Sequence, residues 1–542
     1  MTKIKSVRLK FSIIAFSLLC VFSLFAKPPV INKFFANRYE GFNPMCVKFT
    51  VDAYDPEGDT LSYTFHIFDQ NGNQTDIISE TGTIIYTFTS YGNYTVRVSV
   101  FGSHGEFTES KALSFFVKSY QSPISLSLLT SSQLKKILNG DTAKVSVKTH
   151  FFNNTDSNLT IHIKGYKDGE LVVDTSEKIL PNETFSLLPH YFTVPITDVV
   201  VSIPVHIPVY SDIYTTKGRA RAWYRYDNTT EMYMPYIEEN AFYRESYAFI
   251  SNPFVKPVAF TYNQEITELP KDLSILLNAG SFVHPFSQGA ECWGMIKDEI
   301  IQTLNPGFVE EKTLNGLGIN IDYDQNISLY ELKSNPSTTL YLPFIPHVDC
   351  YNDLILLNKE DRESEVTIYF YDNHGLLTGQ YNVVIPAKER VKLYLETIIS
   401  DLGINADSAI VKSIQPIYGV NVVKIPYGGV YAFALQTYDD CKGYSPVVMD
   451  DDYYWTALSL MNTNNQEITI TFNLYTASGK FKASESITVP PFGLLQSYVS
   501  DIFEGIEVNN GDSIVIRSSK PISGLTLQGT NSLTRLSALP IF

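Results

Sequence analysis

An internal repeat occupies the C-terminal 200 residues, and it constrains the fold more than any other feature of the sequence. The segment VTIYFYDNHG at 366–375 corresponds to ITFNLYTASG at 470–479, a separation of 104 residues. Asn358 and Asn462 are separated by the same interval, and 415–419 matches 520–524 at an interval of 105. Alternating apolar residues with Gly and Pro at turns, over about 100 residues, are typical of one β-sandwich domain. The sequence therefore predicts two homologous sandwiches, at 341–443 and 444–542.

Composition supports an all-β chain. The 542 residues include 35 Tyr and 34 Phe, and only 18% of the residues are charged. Aromatic residues favour strands, and at about 150 residues per domain this length predicts three or four domains. The net charge of −16 argues against nucleic acid as a partner, because neutralising phosphates requires a basic surface.

The N-terminus predicts export. Basic residues precede an apolar stretch at 11–26, and Ala26 lies before Lys27 and two prolines. This pattern is typical of a secretory signal peptide at 1–26. The alternative is an uncleaved anchor, for which sixteen residues are few against a hydrocarbon core of about 30 Å. No later run approaches the length of a spanning helix, so we expect no transmembrane segment in the mature chain.

Residues 27–118 carry short alternating runs that predict a small β-sandwich. The segment DPEGDTLSY at 55–63 resembles the D-P-D-G-D-x-L-x-Y segment of PKD domains, and YGNYTV at 91–96 resembles their later G-x-Y-x-V strand. The W-D-F-G-D-G segment of that family is replaced here by FHIFDQNG at 65–72. The resemblance covers about 90 residues and implies an Ig-like sandwich that acts as an extracellular spacer or binding module.

The middle of the chain is harder to interpret. Residues 119–245 predict a second sandwich, with a hairpin turn at 166–170. Residues 246–340 predict an irregular segment with one helix at 291–304, where apolar residues follow an imperfect helical period before Asn305-Pro306-Gly307. The expected fold class is thus all-β: tandem Ig-like or PKD-like sandwiches, two homologous C-terminal repeats and one small irregular segment.

The acidic turn at 55–59 is the candidate metal site. Asp55, Glu57 and Asp59 offer hard oxygen ligands at a tight turn, which suits calcium. The alternative is a polar turn whose shape Pro and Gly determine. A second acidic segment, 322–326, begins like an EF-hand loop but has Ile327 where that loop requires glycine. We expect no cofactor other than calcium.

A basic stripe is the candidate ligand site. Arg219, Arg221, Trp223 and Arg225 occupy alternate positions and would share one face of a strand. Such a face could hold an acidic polysaccharide, with the indole stacking on a sugar ring. The alternative is a solvated strand face that pairs with acids nearby in sequence.

The cysteines predict one disulfide, between Cys350 and Cys441, because these two residues lie just before the first strand and just after the last strand of the first repeat, ends that can meet in a sandwich. Cys292 opens the predicted helix, where a thiol pKa is lowered, and His347 and Asp349 lie downstream as conceivable catalytic partners. The alternative for Cys292 is a structural cysteine.

These features predict a secreted or cell-surface, non-enzymatic binding or adhesion protein whose partner is an extracellular glycan or a protein. The C-terminal repeats also resemble β-sandwich repeats of bacterial secreted and surface proteins, which implies the same location. Two alternatives stay open: a structural component of the cell envelope, and a carbohydrate-active or peptide-cleaving enzyme with its site in 246–340.

Overall fold

The chain is all-β, as predicted. It divides into two compact units, Met1–Ser119 and Tyr120–Phe542. In the described part of the chain no helix is long and apolar enough to cross a membrane. The predicted signal peptide lies outside the described residues. The computed structural model describes residues 27–541, with gaps at 37–38, 43–44, 119–123, 139–143, 206, 216–217, 225–230, 234–243, 252–257, 263–264, 270–273, 279–299, 304–314, 323–326, 332–335, 348–349, 426–429, 437–439, 446 and 533–534.

The N-terminal unit is a sandwich of two sheets around an aromatic core. Phe49 of one sheet lies with its ring centroid 6.2 Å from that of Phe65 and 5.3 Å from that of Phe115. Alternation causes this arrangement, since Tyr63, Phe65 and Ile67 all point inward from one strand. The strands are β1 Val30–Ala36, β2 Glu40–Phe42, β3 Met45–Tyr54, β4 Ser62–Phe68, β5 Gln74–Ser79, β6 Thr83–Phe88, β7 Gly92–Phe101, β8 Phe107–Glu109 and β9 Leu113–Lys118. One sheet has the order β1-β3-β6; the other has the order β2-β9-β7-β4-β5, and β8 pairs with β7.

The second unit begins with module 1, residues 124–223, which contains two four-stranded sheets. Their orders are β10-β15-β12-β13 and β14-β11-β16-β17. A short helix, α1 (Ser131–Ile137), follows the first strand and starts with a capping box between Thr130 and Gln133. The strands are β10 Ile124–Leu128, β11 Ser146–Phe152, β12 Leu159–Lys167, β13 Glu170–Ile179, β14 Thr184–Leu187, β15 Asp198–Ile203, β16 Val209–Tyr214 and β17 Arg219–Trp223.

Module 2, residues 231–331, repeats this plan. Its sheets have the orders β18-β23-β20-β21 and β22-β19-β24-β25, which match module 1 strand for strand. In the predicted irregular segment at 246–340, the described residues therefore form strands of two sheets. The final residues of the predicted helix form a strand, Ile300–Thr303, and 291–299 lie outside the described residues. The strands are β18 Glu231–Tyr233, β19 Arg244–Ser251, β20 Val258–Tyr262, β21 Glu265–Leu269, β22 Ser274–Asn278, β23 Ile300–Thr303, β24 Asn315–Asp322 and β25 Ile327–Glu331.

Modules 3 and 4, residues 337–434 and 440–540, are the two copies visible in the sequence. In each module, one long strand takes the place of the two strands β15 and β16 of module 1. Its first half pairs with strands of one sheet and its second half pairs with strands of the other. Pro416 and Pro521 lie where this strand passes from one sheet to the other, a place where no ladder hydrogen bond is needed. The elements are β26 Ser337–Leu342, β27 Tyr351–Asn358, β28 Ser364–Tyr371, β29 Leu377–Ile385, β30 Arg390–Tyr394, α2 Leu395–Leu402, β31 Ser408–Lys424 and β32 Val430–Ala434, then β33 Asp440–Ser445, β34 Tyr454–Asn462, β35 Ile468–Tyr475, β36 Phe481–Val489, β37 Leu494–Tyr498, α3 Val499–Ile502, β38 Ser513–Thr530 and β39 Leu536–Pro540.

One asparagine holds the same corner in three modules. The side-chain amide of Asn358 donates to the carbonyls of Arg362, Ile385 and Pro386. Asn462 makes the three equivalent bonds in module 4. Asn153 bonds the matching turn and strand end in module 1. The shared corner shows that module 1 is built on the plan of modules 3 and 4.

The four modules close into a ring. The last strand of each module contacts the last strands of two others: β17 contacts β25 and β39, and β32 contacts the same two strands. Module 4 thus packs against module 1 as well as against module 3. The contacts between the last strands therefore form a closed cycle, from β17 to β25, β32, β39 and back to β17.

Two of the ring interfaces are equivalent in detail. Between modules 3 and 4, Met461 packs in a cluster with Tyr341 and Ile410. Between modules 4 and 1, Phe152 packs with Tyr444 and Val515, which occupy the corresponding positions. The backbone bonds also correspond, with the Leu494 amide donating to Asn373 and the Thr184 amide donating to Ala477.

Candidate functional sites

The basic stripe of module 1 is buried in the closing interface of the ring. Arg219 and Arg221 are each 2% exposed and Trp223 is fully buried. The Arg219 guanidinium donates to Asp212 Oδ1 at 2.9 Å and to Gln528 Oε1 of module 4 at 2.8 Å. A glycan cannot reach these side chains, so the predicted ligand site is corrected to an internal contact.

The other stripe residues also bind module 4. Arg221 donates from Nε to Ser537 Oγ and from Nη2 to the Thr526 carbonyl, each at 3.0 Å. The Trp223 indole donates to the carbonyl of Pro540. Arg225 lies outside the described residues. The alternation was predicted from the sequence, but the burial was not, because the partner strand lies about 300 residues away and leaves no local signal.

The closing interface is charged where its counterpart is apolar. Leu536 and Ala538 occupy the positions of Arg219 and Arg221 in module 4, and they pack against the core of module 3. One fold position therefore carries aliphatic side chains at one interface and arginines at the other. The arginines are satisfied by the Asp212 carboxylate and by polar groups of module 4.

Burial shifts the protonation of this interface. Desolvation lowers the pKa of His150 to about 4, while the nearby Asp212 opposes the shift. Burial alone would raise the pKa of Asp212, but the Arg219 charge and hydrogen bonds outweigh it and hold that pKa below its ordinary value. Burial lowers the pKa of Arg221 to about 10, with the Arg219 charge adding to the effect.

The His150 side chain is held on both sides. Its ring stacks on Tyr210 at a centroid distance of 4.7 Å, and its Nδ1 lies 2.8 Å from Ser186 Oγ. Desolvation raises the pKa of Tyr210. Both rings are therefore neutral near pH 7, and the stack is an uncharged layer beside the Arg219–Asp212 pair.

The acidic turn of the N-terminal unit is only partly the predicted metal site. Asp55 Oδ1 accepts from the amides of Glu57 at 2.7 Å and Asp59 at 3.3 Å, and so holds the turn. The Glu57 carboxylate is instead 3.2 Å from the Lys27 amide nitrogen. Glu57 thus has a different partner from the other two carboxylates.

A second turn supplies groups that the sequence pattern did not predict. His104 and Glu106 lie between β7 and β8, and their ligand atoms and one from Asp59 all lie within 4.8 Å of one another. Asp59 Oδ2 accepts from Ser103 Oγ at 2.6 Å and is 3.0 Å from His104 Nδ1. The Ser103 hydrogen bond holds the pKa of Asp59 below its ordinary value. These residues are more than 40 positions from the DPEGD motif, so only the sandwich brings them together.

The remaining candidates do not converge. Cys350 packs on the module 3 core, and no disulfide is present among the described side chains. Cys441 belongs to β33, which pairs with β38 and is the counterpart of β26 rather than the end of the first repeat. The Cys441 side chain is not described, so the Cys350–Cys441 disulfide stays a prediction. His347 binds Asp407 at 2.7 Å. Cys292, Asp349 and most of 322–326 lie outside the described residues.

Comparisons with known proteins give only distant likenesses. No family model matches the chain, and no curated protein matches it. Among solved structures, a carbohydrate-binding module of the β-sandwich superfamily is 12% identical, with 35% of this chain and 97% of that chain covered and a TM-score of 0.16. An α-L-rhamnosidase from Aspergillus terreus is 8% identical, covers 77% of this chain and 50% of that one, and has a TM-score of 0.19.

The four N-terminal Ig domains of Dscam1 isoform 1.9 are 10% identical, with 95% of this chain and 98% of that chain covered at a TM-score of 0.15. Because all three TM-scores are this low, we infer the function below from the chain's own residues.

Proposed function

We propose that the chain is a secreted or cell-surface, non-enzymatic binding protein whose ring presents one contact point several times. A single observation carries the proposal. Near the start of the outer strand, opposite the last tyrosine of the preceding strand, a large apolar side chain is left half-exposed in three modules. These residues are Leu171 (50% exposed), Leu377 (48%) and Phe481 (52%).

The three residues occupy equivalent positions at the start of the outermost strand of their modules. A large apolar side chain on the surface is unremarkable alone. Its recurrence at one fold position, in modules whose sequences have diverged, is what points to a ligand contact.

The surroundings of each contact point are polar and also recur. Further along the same hairpin, about 13 Å from the contact point, the outer strands carry side-chain pairs at matching positions: His162 with Ser176, and Thr367 with Asn382. Thr471 and Ser486 form the third pair. An apolar point and a polar pair spaced along one hairpin suit an extended ligand, either an extracellular glycan or an extended protein segment.

The ring holds the repeated contact points on one body, which allows multivalent binding. Weak contacts at several equivalent points on one body bind a repetitive ligand far more tightly than any contact alone, because later contacts form at a high effective concentration. A closed ring fixes the distances between the points. The proposed ligand is therefore repetitive: a polysaccharide, or a densely displayed surface protein.

The test is binding of residues 27–542 to immobilised glycan and surface-protein panels. The variants are Leu171→Ser, Leu377→Ser and Phe481→Ser, each alone and all three in one chain. The control is Val384→Ser, which changes an exposed apolar residue elsewhere on β29. We expect losses of about tenfold for single variants and at least about a hundredfold for the triple variant. Unchanged binding by the triple variant, or two blank panels, would refute the proposal.

A further inference from the structure

The N-terminal unit brings three carboxylates from two turns together. Asp55 and Asp59 lie in the turn between β3 and β4, and Glu106 lies in the turn between β7 and β8. We propose that Asp55, Asp59 and Glu106 bind a calcium ion. The site goes beyond the proposed function, which concerns the ring, and each can fail without the other.

Unpartnered oxygens are the main support. Asp55 is 8% exposed, and its Oδ2 is buried with no hydrogen-bond partner in the described structure. Both carboxylate oxygens of Glu106 are buried and have no hydrogen-bond partner among the described residues. A buried carboxylate oxygen without a donor is costly, and a bound cation supplies the missing interaction.

A glycine makes room for these oxygens. An ideal Cβ built on Gly102 would lie 1.9 Å from Glu106 Oε1 and 3.3 Å from Asp55 Oδ2. The two carboxylates therefore approach the same point, directly over a backbone that carries no side chain. The turn is closed by the Gly102 amide, which donates to the Glu106 carbonyl at 2.9 Å.

The donor set favours calcium over zinc and magnesium. Calcium takes six to eight oxygen ligands in flexible geometry, many of them carboxylates, with backbone carbonyls and water completing the shell. Zinc would use the His104 nitrogen, but that side chain is largely exposed and is paired with Asp59. Magnesium demands near-ideal octahedral geometry and retains most of its water.

The experiment is a calcium titration of the full mature chain, residues 27–542, by calorimetry and thermal unfolding. Asp55→Asn and Glu106→Gln remove one charge each with little change in shape. Glu57→Gln is the matched control, since it removes a carboxylate of the same turn that accepts from the Lys27 amide and is not among the proposed ligands. Far-UV circular dichroism in chelator checks that each variant folds.

We expect one calcium to bind and to raise the midpoint of unfolding of the N-terminal unit. Asp55→Asn and Glu106→Gln should each weaken binding by at least about tenfold, whereas Glu57→Gln should bind like the wild type. The proposal fails if the wild type shows no saturable binding, or if Glu106→Gln binds unchanged. Tighter binding of zinc, lost in His104→Ala, would assign the site to a different metal and also overturn it.

Discussion

At the scale of single residues, the Arg219–Asp212 pair shows how a buried charge acts as a constraint. Asp212→Ala leaves the guanidinium buried without its anion, so we expect a loss of about 3–5 kcal/mol in the free energy of unfolding. The double variant Asp212→Leu with Arg219→Met should recover most of that loss. Urea unfolding measures both. Lys388→Ala, which breaks an exposed pair with Asp361, is the control and should cost under about 1 kcal/mol. A single variant as stable as this control would contradict the role of the pair.

His150 makes the same interface sensitive to pH. Its folded pKa of about 4 lies below the ordinary 6.5, so unfolding takes up a proton between these values. Stability should therefore fall as the pH drops from 6.5 towards 4, by up to about 3 kcal/mol. His150→Phe keeps the stack on Tyr210 and should flatten this part of the profile. Denaturant midpoints at several pH values test this, with exposed His374→Gln as the control. Equal slopes in all three proteins would refute the assignment.

At the scale of elements, the corner asparagines explain why some repeats were visible in the sequence and others were not. Asn358 and Asn462 were aligned by sequence because the strands beside them also match. Asn153 has the same role, but it follows different strand residues, and the long strand of modules 3 and 4 is split in module 1. Alternation and turns could thus be predicted from sequence, whereas a shared plan carried by backbone pairing could not.

The corner itself is testable. Asn462→Ala removes the donor to three carbonyls in module 4, and the burial of Asn462 leaves little room for water. We expect a loss of about 2–3 kcal/mol, measured by chemical unfolding. Asn382→Ala, on the exposed outer strand, should change stability by less than about 0.5 kcal/mol. Similar losses at the two positions would mean that the corner bonds contribute nothing special.

At the scale of the whole molecule, closure depends on close approach at turn glycines. A Cβ on Gly479 would lie 2.2 Å from the Pro181 carbonyl oxygen of module 1, and a Cβ on Gly375 would lie 1.9 Å from that of Pro491 in module 4. Gly169 occupies the equivalent turn with a similar φ of +87°, yet a Cβ there meets nothing within 4 Å in the described structure. Among the described residues Gly169 is therefore a control that separates backbone strain from steric contact.

Gly169→Ala should cost about 1 kcal/mol from the positive φ alone. Gly479→Ala should cost about 2 kcal/mol more and should open the ring between modules 4 and 1. Opening exposes Trp223, so we expect red-shifted tryptophan emission and a larger radius of gyration by small-angle scattering, neither of which should appear in Gly169→Ala. The opened chain should stay monomeric at micromolar concentration. To form a dimer, the altered module 4 surface of one molecule would have to bind module 1 of another, and this contact would lack the high effective concentration that the covalent chain provides. A compact Gly479→Ala variant would show that the other ring contacts suffice for closure.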